Sequence, residues 1–344
     1  MMSASVLAVG DSYLPVSLIQ PRLSALAEIF PIRYITVDSS FRGNYASISE
    51  HQGDVGQIAS QHGDEEVLLV HAAPVTAELL DACPSIRLIA CARGNPLNVD
   101  LAAAEKRGVT VINTPAKNAD AVADLTMTFV HQLMRAAGRA ANWLETEARN
   151  GETHLDSTFI GGQWMAREPR GSTMGIIGFG AIGRKVAAQA EFYGMRVLAY
   201  DPFAPDDQRL TNLTTLLSAS DVISLHAKAT EENRHLIDKA LIATMKPGVF
   251  IVNTARQTLI DETALLEGIA TGHVAGAALD VCEPDGEWPA LARHPRVILT
   301  PHIGGATAQT QERALDMLAA DIDRYFARAE VNHRIAGPST RVGA

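Results

Sequence analysis

The chain is poor in cysteine, in runs of positive charge and in long apolar stretches. Its three cysteines (Cys83, Cys91, Cys282) are scattered, and none belongs to a C-x-x-C pair. That excludes a disulfide-stapled scaffold and a cysteine zinc site, and reduced thiols in a cytoplasmic protein are expected. Lys and Arg number 29 against 39 Asp and Glu, a net charge of −10, with no basic cluster. A nucleic-acid or anionic-membrane partner is therefore not expected, because neither has an electrostatic footprint here. The most apolar runs, such as 67–70, are strand-length, far short of the roughly 20 residues that cross a bilayer. The opening MMSASVLAVGDS has no basic n-region, so no signal peptide is expected either. No metal site is read from the sequence.

What is present is ordinary globular material: 344 residues, 47% hydrophobic and 20% charged, enough for two domains. Short β-branched runs alternate with helix-like stretches. The first series is 6–9, 34–37, 67–70, 88–90 and 109–112; the second is 174–177, 196–200, 222–225, 249–252, 274–279 and 297–299. Runs apolar on both faces and separated by helices predict parallel sheets built from β-α-β units, one sheet per series. Between the series, Val122, Leu125, Phe129 and Leu133 mark an apolar stripe that predicts one long helix over 118–149. Leu315, Leu318, Ile322 and Tyr325 predict another over 308–327. The polar, Gly-rich stretch 151–173 reads as a loop.

The sharpest motif is GIIGFGAIG, residues 175–183. It follows a predicted strand and opens a predicted helix over 181–192. In that setting Gly178 makes the tight turn, Gly180 lets a pyrophosphate approach the backbone, and Gly183 permits close helix–strand packing. The helix N-terminus offers free N–H groups and partial positive charge. The next strand ends in Asp201, eighteen residues past the last glycine, where a carboxylate accepts hydrogen bonds from a ribose and repels a 2′-phosphate. NAD is expected over NADP; a turn or capping role before Pro202 is the alternative for Asp201.

Three polar residues stand just beyond predicted strands of the second series: Arg256 in VNTARQ, Glu283 in LDVCEP and His302 in LTPHIGG. Ligands of open parallel sheets sit outside the carboxyl ends of the strands, so all three face the crevice of the glycine turn. Here a resemblance emerges. From about Leu88 onward, NVDLAAAEKRGVTVINTPAKNADAVADLT, GIIGFGAIGRKVA, SLHAKATEENRHLI, MKPGVFIVNTAR, GAALDVCEP and VILTPHIGGAT resemble, in order and spacing, the D-isomer-specific 2-hydroxyacid dehydrogenases. The first eighty residues match only in strand rhythm.

The resemblance implies hydride transfer between NAD(H) and the α-carbon of a 2-hydroxy or 2-keto acid. His302 would be the general acid/base, and Glu283 would pair with its imidazole and favour the imidazolium. Arg256 would hold the substrate carboxylate with its planar fork. It also implies that Ala181, Ile182, His226, Thr254, Ala255, Asp280 and Gly304 line the cofactor, Asp280 at the nicotinamide carboxamide. Asp280-Val-Cys-Glu283-Pro284 is two residues shorter than the family segment, which leaves Glu287 as a second candidate acid. Lys228 and Gln257 stand where the family has Pro and Gly, and nothing in the sequence explains them.

The family loop x-G-x-G-x-D-N, which cradles the substrate carboxylate, reads here Arg93-Gly94-Asn95-Pro96-Leu97-Asn98, and His71 stands where Arg or Ser is usual. His71, Arg93, Gly94 and Asn95 therefore read as contacts to a polar or acidic substrate, with loop variation as the alternative. The implied fold is two Rossmann-like, doubly wound α/β domains: a flavodoxin-like substrate domain of 1–114 and 303–344, and an NAD-binding Rossmann domain of 115–302. A homodimer through the NAD-binding domain is implied as well, with 118–149 contributing. Two other functions stay open at this point, an NAD-sensing, corepressor-like binding protein and the oxidation of a one-carbon or inorganic acid such as formate or phosphite.

Overall fold

The computed structural model describes residues 4–340 apart from Phe41, Asp156 and residues 283–285, with only the backbone of Ser157 and Thr158. Twelve strands occur among the described residues: β1 (Val6–Gly10), β2 (Ile32–Thr36), β3 (Val67–Val70), β4 (Leu88–Cys91), β5 (Thr110–Ile112), β6 (Thr173–Ile177), β7 (Arg196–Tyr200), β8 (Val222–Leu225), β9 (Val249–Asn253), β10 (Val274–Leu279), β11 (Val297–Leu299) and β12 (Arg334–Ala336). They lie in two compact units, Met1–Lys117 with Thr307–Ala344, and Asn118–Ala306.

In the first unit the sheet order is β12-β5-β4-β3-β1-β2. Every pair is parallel except β12 on β5, which is antiparallel. The period-two rule sorts the apolar side chains. Leu7, Val9, Leu68 and Val70 enter one core, while Val6, Ala8, Val67 and Leu69 enter the core on the opposite face. Leu315, Leu318, Ile322 and Tyr325 of the Ala308–Phe326 helix complete the second core. Each such side chain contributes about 1.5–3 kcal/mol on full burial, which binds this late segment to the N-terminal sheet.

The second unit repeats the plan, in the order β11-β10-β9-β8-β6-β7 and all parallel. Both sheets thus run 2-1-3-4-5, the flavodoxin order, with the winding reversing beside the first strand. The architecture is two doubly wound parallel sheets, as the alternation of runs predicts. Among the described residues no helix is long and apolar enough to cross a membrane.

Two local expectations are corrected, and one strand is added that no sequence pattern announces. The helix expected over 118–149 is two, Ala119–Arg135 and Ala137–Arg149, broken at Ala136, whose φ is +52°. The apolar stripe ends at the buried Met134, and the second helix buries no residue within the unit, so packing stops enforcing a straight axis there. The expected loop 151–173 contains the helix Ser157–Ile160 and a 3-10 turn, Gly161–Trp164. Trp164 lies 6.0 Å from Trp143 and 5.7 Å from the Arg139 guanidinium carbon, ring contacts that no local pattern encodes. Finally, β12 is too short for an alternation signal and exists only because β5 offers an edge.

Left-handed backbone costs a non-glycine residue roughly 1–2 kcal/mol. Replacing Ala136 with Gly should therefore raise the unfolding free energy by about 1 kcal/mol, read by urea denaturation. Lower stability would show that the break carries no strain.

Candidate active site

Along the carboxyl edge of the second sheet, the strand order sets the sequence of chemistry: His302 after β11, Asp280 after β10, Arg256 after β9, His226 after β8, the glycine turn after β6 and Asp201 after β7. From β6 to β11 is four strand spacings, about 19 Å. Only a ligand laid along the edge connects the glycine turn with His302.

The glycine turn is forced by close packing. Gly178 has φ +94°, and a Cβ there would lie 2.4 Å from the amide nitrogen of Ala227. A Cβ on Gly183 would lie 2.2 Å from the Gly178 carbonyl oxygen, so the helix and the turn touch through backbone alone. Gly180 is different: nothing lies within 4 Å of its added Cβ. The helix Ala181–Phe192 makes its first backbone bond from Arg184 to Gly180 (3.1 Å), which leaves the amides of Ala181, Ile182 and Gly183 as the unfilled donors of the helix start. An open cradle with bare N–H groups fits a pyrophosphate.

The Asp201 carboxylate accepts from the amides of Phe179 (2.8 Å) and Phe203 (2.9 Å), tying the turn to β7 and keeping lone pairs for a further donor. Partly buried His226 bonds through Nε2 to Ser224 Oγ (2.8 Å), and its Nδ1 is buried without a partner. Burial holds its pKa down at about 3, so the ring is neutral. An orphaned ring nitrogen beside the cradle is the second feature that fits a dinucleotide. Thr254 is otherwise engaged. The Thr126 hydroxyl donates to the Val122 carbonyl, so the 3.0 Å contact has Thr254 donating to Thr126, which ties β9 to the Ala119–Arg135 helix.

At the other end, Asp280 is 1% exposed, and its carboxylate accepts three hydrogen bonds from one loop: Thr300 Oγ1 (2.6 Å), Ile303 N (2.8 Å) and Gly304 N (2.6 Å). A Cβ on Gly304 would fall 2.8 Å from that carboxylate, so glycine is required there. The loop so pinned carries His302, exposed and at φ +59°. A non-glycine residue in the left-handed region persists only where surrounding bonds over-determine it. Buried Asn253 does the same for Arg256, accepting from Ala255 N (2.9 Å) and donating to the Arg256 carbonyl (2.8 Å). The guanidinium itself bonds to the Ala255 carbonyl (2.8 Å) and pairs with no carboxylate among the described residues. Asp280 N donates to the Asn253 carbonyl (2.9 Å), linking the two loops. The expected partner of the imidazole, Glu283, lies outside the described residues. Glu287 is exposed at the start of the Trp288–Arg293 helix, where its amide donates to Glu262.

In the first unit, the carboxyl edge holds His71 after β3 and the loop 93–98 after β4. His71 Nδ1 faces Asp11 Oδ2 (3.2 Å), and the ring stacks on Tyr13 (5.2 Å between centroids). Burial works against the Asp11 carboxylate, but hydrogen bonds from His71 and the amides of Leu14 and Ala72 outweigh it and hold the pKa low. Burial lowers the His71 pKa in spite of Asp11, so the ring is neutral with its proton on Nδ1. Nε2 is left as an acceptor. Arg93 is not the free cation its position suggested. Its guanidinium is bonded to both the carboxylate and the carbonyl of Glu50, forty-three residues away. Gly94 and Asn95 are exposed, with the Gly94 carbonyl accepting from Asn113 (2.8 Å). Sequence reading missed Asp11 and Asn253; the Gly10-Asp11 pair closing the first strand was the available signal for the former.

Residues 130–304 match the family model described as D-isomer specific 2-hydroxyacid dehydrogenase, NAD binding domain. A hydroxypyruvate reductase of Thermotoga maritima is 38% identical over 261 residues, covering 72% of this chain and 80% of the relative. A glycerate dehydrogenase of Methylorubrum extorquens is 34% identical over 275 residues, covering 79% and 86%. Among solved structures, a glyoxylate reductase from Paecilomyes thermophila superposes with a TM-score of 0.75 at 28% identity, covering 97% of this chain and 99% of that one. With the glycine cradle, the pinned histidine and these likenesses together, the chain belongs to the D-isomer-specific 2-hydroxyacid dehydrogenases, NAD-dependent oxidoreductases that act on a CH–OH group.

Proposed function

We propose that His302 is the general acid/base, Arg256 the carboxylate clamp and Asp280 the positioning residue of a dehydrogenase for a polar D-2-hydroxy acid or its 2-keto counterpart. The observation that carries this is the triple hydrogen bond of buried Asp280, which holds His302 exposed in a left-handed conformation while the strand end after β9 presents a guanidinium that pairs with no carboxylate among the described residues. NADH, when bound, supplies the hydride that reduces the α-carbon. The chain's own residues do the rest. The helix-start amides of Ala181, Ile182 and Gly183, with Gly178 and Gly180 giving close approach, hold the pyrophosphate, Asp201 accepts from the ribose hydroxyls, and neutral His226 lends its unused Nδ1. Thr254, Ala255 and Gly304 shape the cofactor's path through their backbone.

Arg256 grips the substrate carboxylate through two parallel N–H bonds and draws electron density from the adjacent carbonyl. His302 gives its proton to the carbonyl oxygen in reduction and recovers it from the hydroxyl in oxidation, with Glu283 assigned to the imidazole from its place in the sequence. A polar substrate is supported by the neutral His71, whose Nε2 accepts from a hydroxyl. It is also supported by the two relatives named for hydroxypyruvate and glycerate, both hydroxyl-bearing acids.

Replacing His302 with Ala should lower kcat at least ~10²-fold with NADH affinity little changed, measured by NADH absorbance across a panel of 2-keto acids. Full activity in that variant would remove His302 from the mechanism. An Asp201→Ser enzyme should move its preference toward NADPH, since the carboxylate no longer repels a 2′-phosphate; an unmoved ratio of the two kcat/KM values would place the discrimination elsewhere.

The working assembly in this reading is a homodimer built on the second unit. Its Ala137–Arg149 helix buries nothing, and Phe159, Met165 and Phe192 are 80, 91 and 82% exposed. Apolar exposure on this scale marks an interaction surface. Light scattering should report a dimer for the native chain and a monomer after joint Phe159→Asp and Met165→Asp substitution; a native monomer would refute this part.

A further inference from the structure

With Arg93 neutralised by Glu50, the positive charge of the first unit's carboxyl edge resides elsewhere. Lys117 follows β5, and its ammonium donates to the Ala92 carbonyl (2.6 Å) and to Gln311 Oε1 (3.2 Å), both neutral acceptors. It forms no salt bridge with a carboxylate among the described residues. The Arg313 side chain holds the Lys117 carbonyl (2.8 Å), fixing this stretch to the Ala308–Phe326 helix. Gln311 is 4% exposed, and its Nε2 is buried with no partner among the described residues. That donor shares an amide with the oxygen that Lys117 holds, so the two sit side by side. Thr114, fully buried three residues before Lys117, also has an unpartnered hydroxyl.

Around this pair the available negative charge is already spent. Asp11 is committed to Tyr13, Leu14, Ala72 and His71. The Cys91 thiol is pushed up by burial to about 12 and stays neutral. Glu312 is paired with Arg22. Gln311 lies in the first turns of a nineteen-residue helix capped by Thr307, whose start adds partial positive charge. Burial lowers the Lys117 pKa to about 8, with Cys91 and Asp11 opposing the fall and Arg93 adding to it. A half-buried ammonium beside an orphaned amide donor is costly unless an acceptor anion completes the group.

We propose that Lys117 and Gln311 form an oxyanion-binding site at the carboxyl edge of the first sheet, taking a carboxylate or phosphate group. Its source is a second anionic group on the substrate or a free anion; only the first of these rests on the polar-substrate reading above. Two measurements separate them. Thermal unfolding is followed with inorganic phosphate against chloride at equal ionic strength, in the native enzyme, Lys117→Met and Lys117→Arg. Separately, kcat/KM for 2-oxoglutarate is compared with that for its ω-amide.

Phosphate should raise the Tm of the native enzyme and of Lys117→Arg but not of Lys117→Met. If the group belongs to the substrate, Lys117→Met should also lower the acid-to-amide ratio about tenfold, as expected for one charge-assisted bond. A phosphate effect with an unchanged ratio assigns the site to a free anion. No phosphate stabilisation together with an unchanged ratio overturns the proposal. If no 2-keto acid is turned over at all, the reaction reading fails while the Tm series still decides the site. Should Lys117→Met not fold, Gln311→Glu, which supplies an internal carboxylate to Lys117, must abolish the phosphate shift; persistence of the shift overturns the proposal equally.

Discussion

The catalytic edge depends on one buried carboxylate. Asp280 ends the strand between those that carry Arg256 and His302, and it spends three of its hydrogen-bonding sites on the loop that bears the histidine. Burying an ionised carboxylate is unfavourable unless it is hydrogen-bonded, and here the bonds that offset the cost also hold His302 in a backbone region it would otherwise avoid. Its amide reaches back to Asn253, which shapes the Arg256 turn. The loops that bear His302 and Arg256 are thus both fixed from the same strand end, and neither needs a direct contact with the other.

The two sheets share a winding order and yet treat their first turn in opposite ways. In the second unit the turn after β6 is glycine-rich, open at Gly180 and followed by the unfilled amides of the helix start. In the first unit the turn after β1 closes on a side chain: the Asp11 carboxylate accepts from the amides of Tyr13 and Leu14 and from that of Ala72 after β3. In a chain of net charge −10, Arg256 and Lys117 share one trait: neither forms a salt bridge among the described residues.

Much of this was legible in advance because it is periodic or strictly local. Strands buried on both faces announce themselves as β-branched runs, and β3, β7, β8, β10 and β11 begin and end where the runs do. The glycine turn was legible because Gly178 and Gly183 answer steric demands that no other residue meets. Ala136 was not, since alanine favours helix and only the end of the packed stripe makes the break tolerable. The state of Arg93 was equally hidden: its partner Glu50 sits on a distant loop, and no spacing rule links them.

Local chemistry by itself determined the parallel α/β plan, the glycine turn after β6 and the family to which the chain belongs. These follow from side-chain period, backbone sterics and charge, all properties of residues near one another in the chain. Tertiary structure alone decided which polar groups are spent and which are free. Asp280 became the anchor of the His302 loop, Thr254 a tether, Arg93 a neutralised cation and Lys117 one with no carboxylate partner among the described residues, because a hydrogen bond is consumed by whichever group the fold brings within reach.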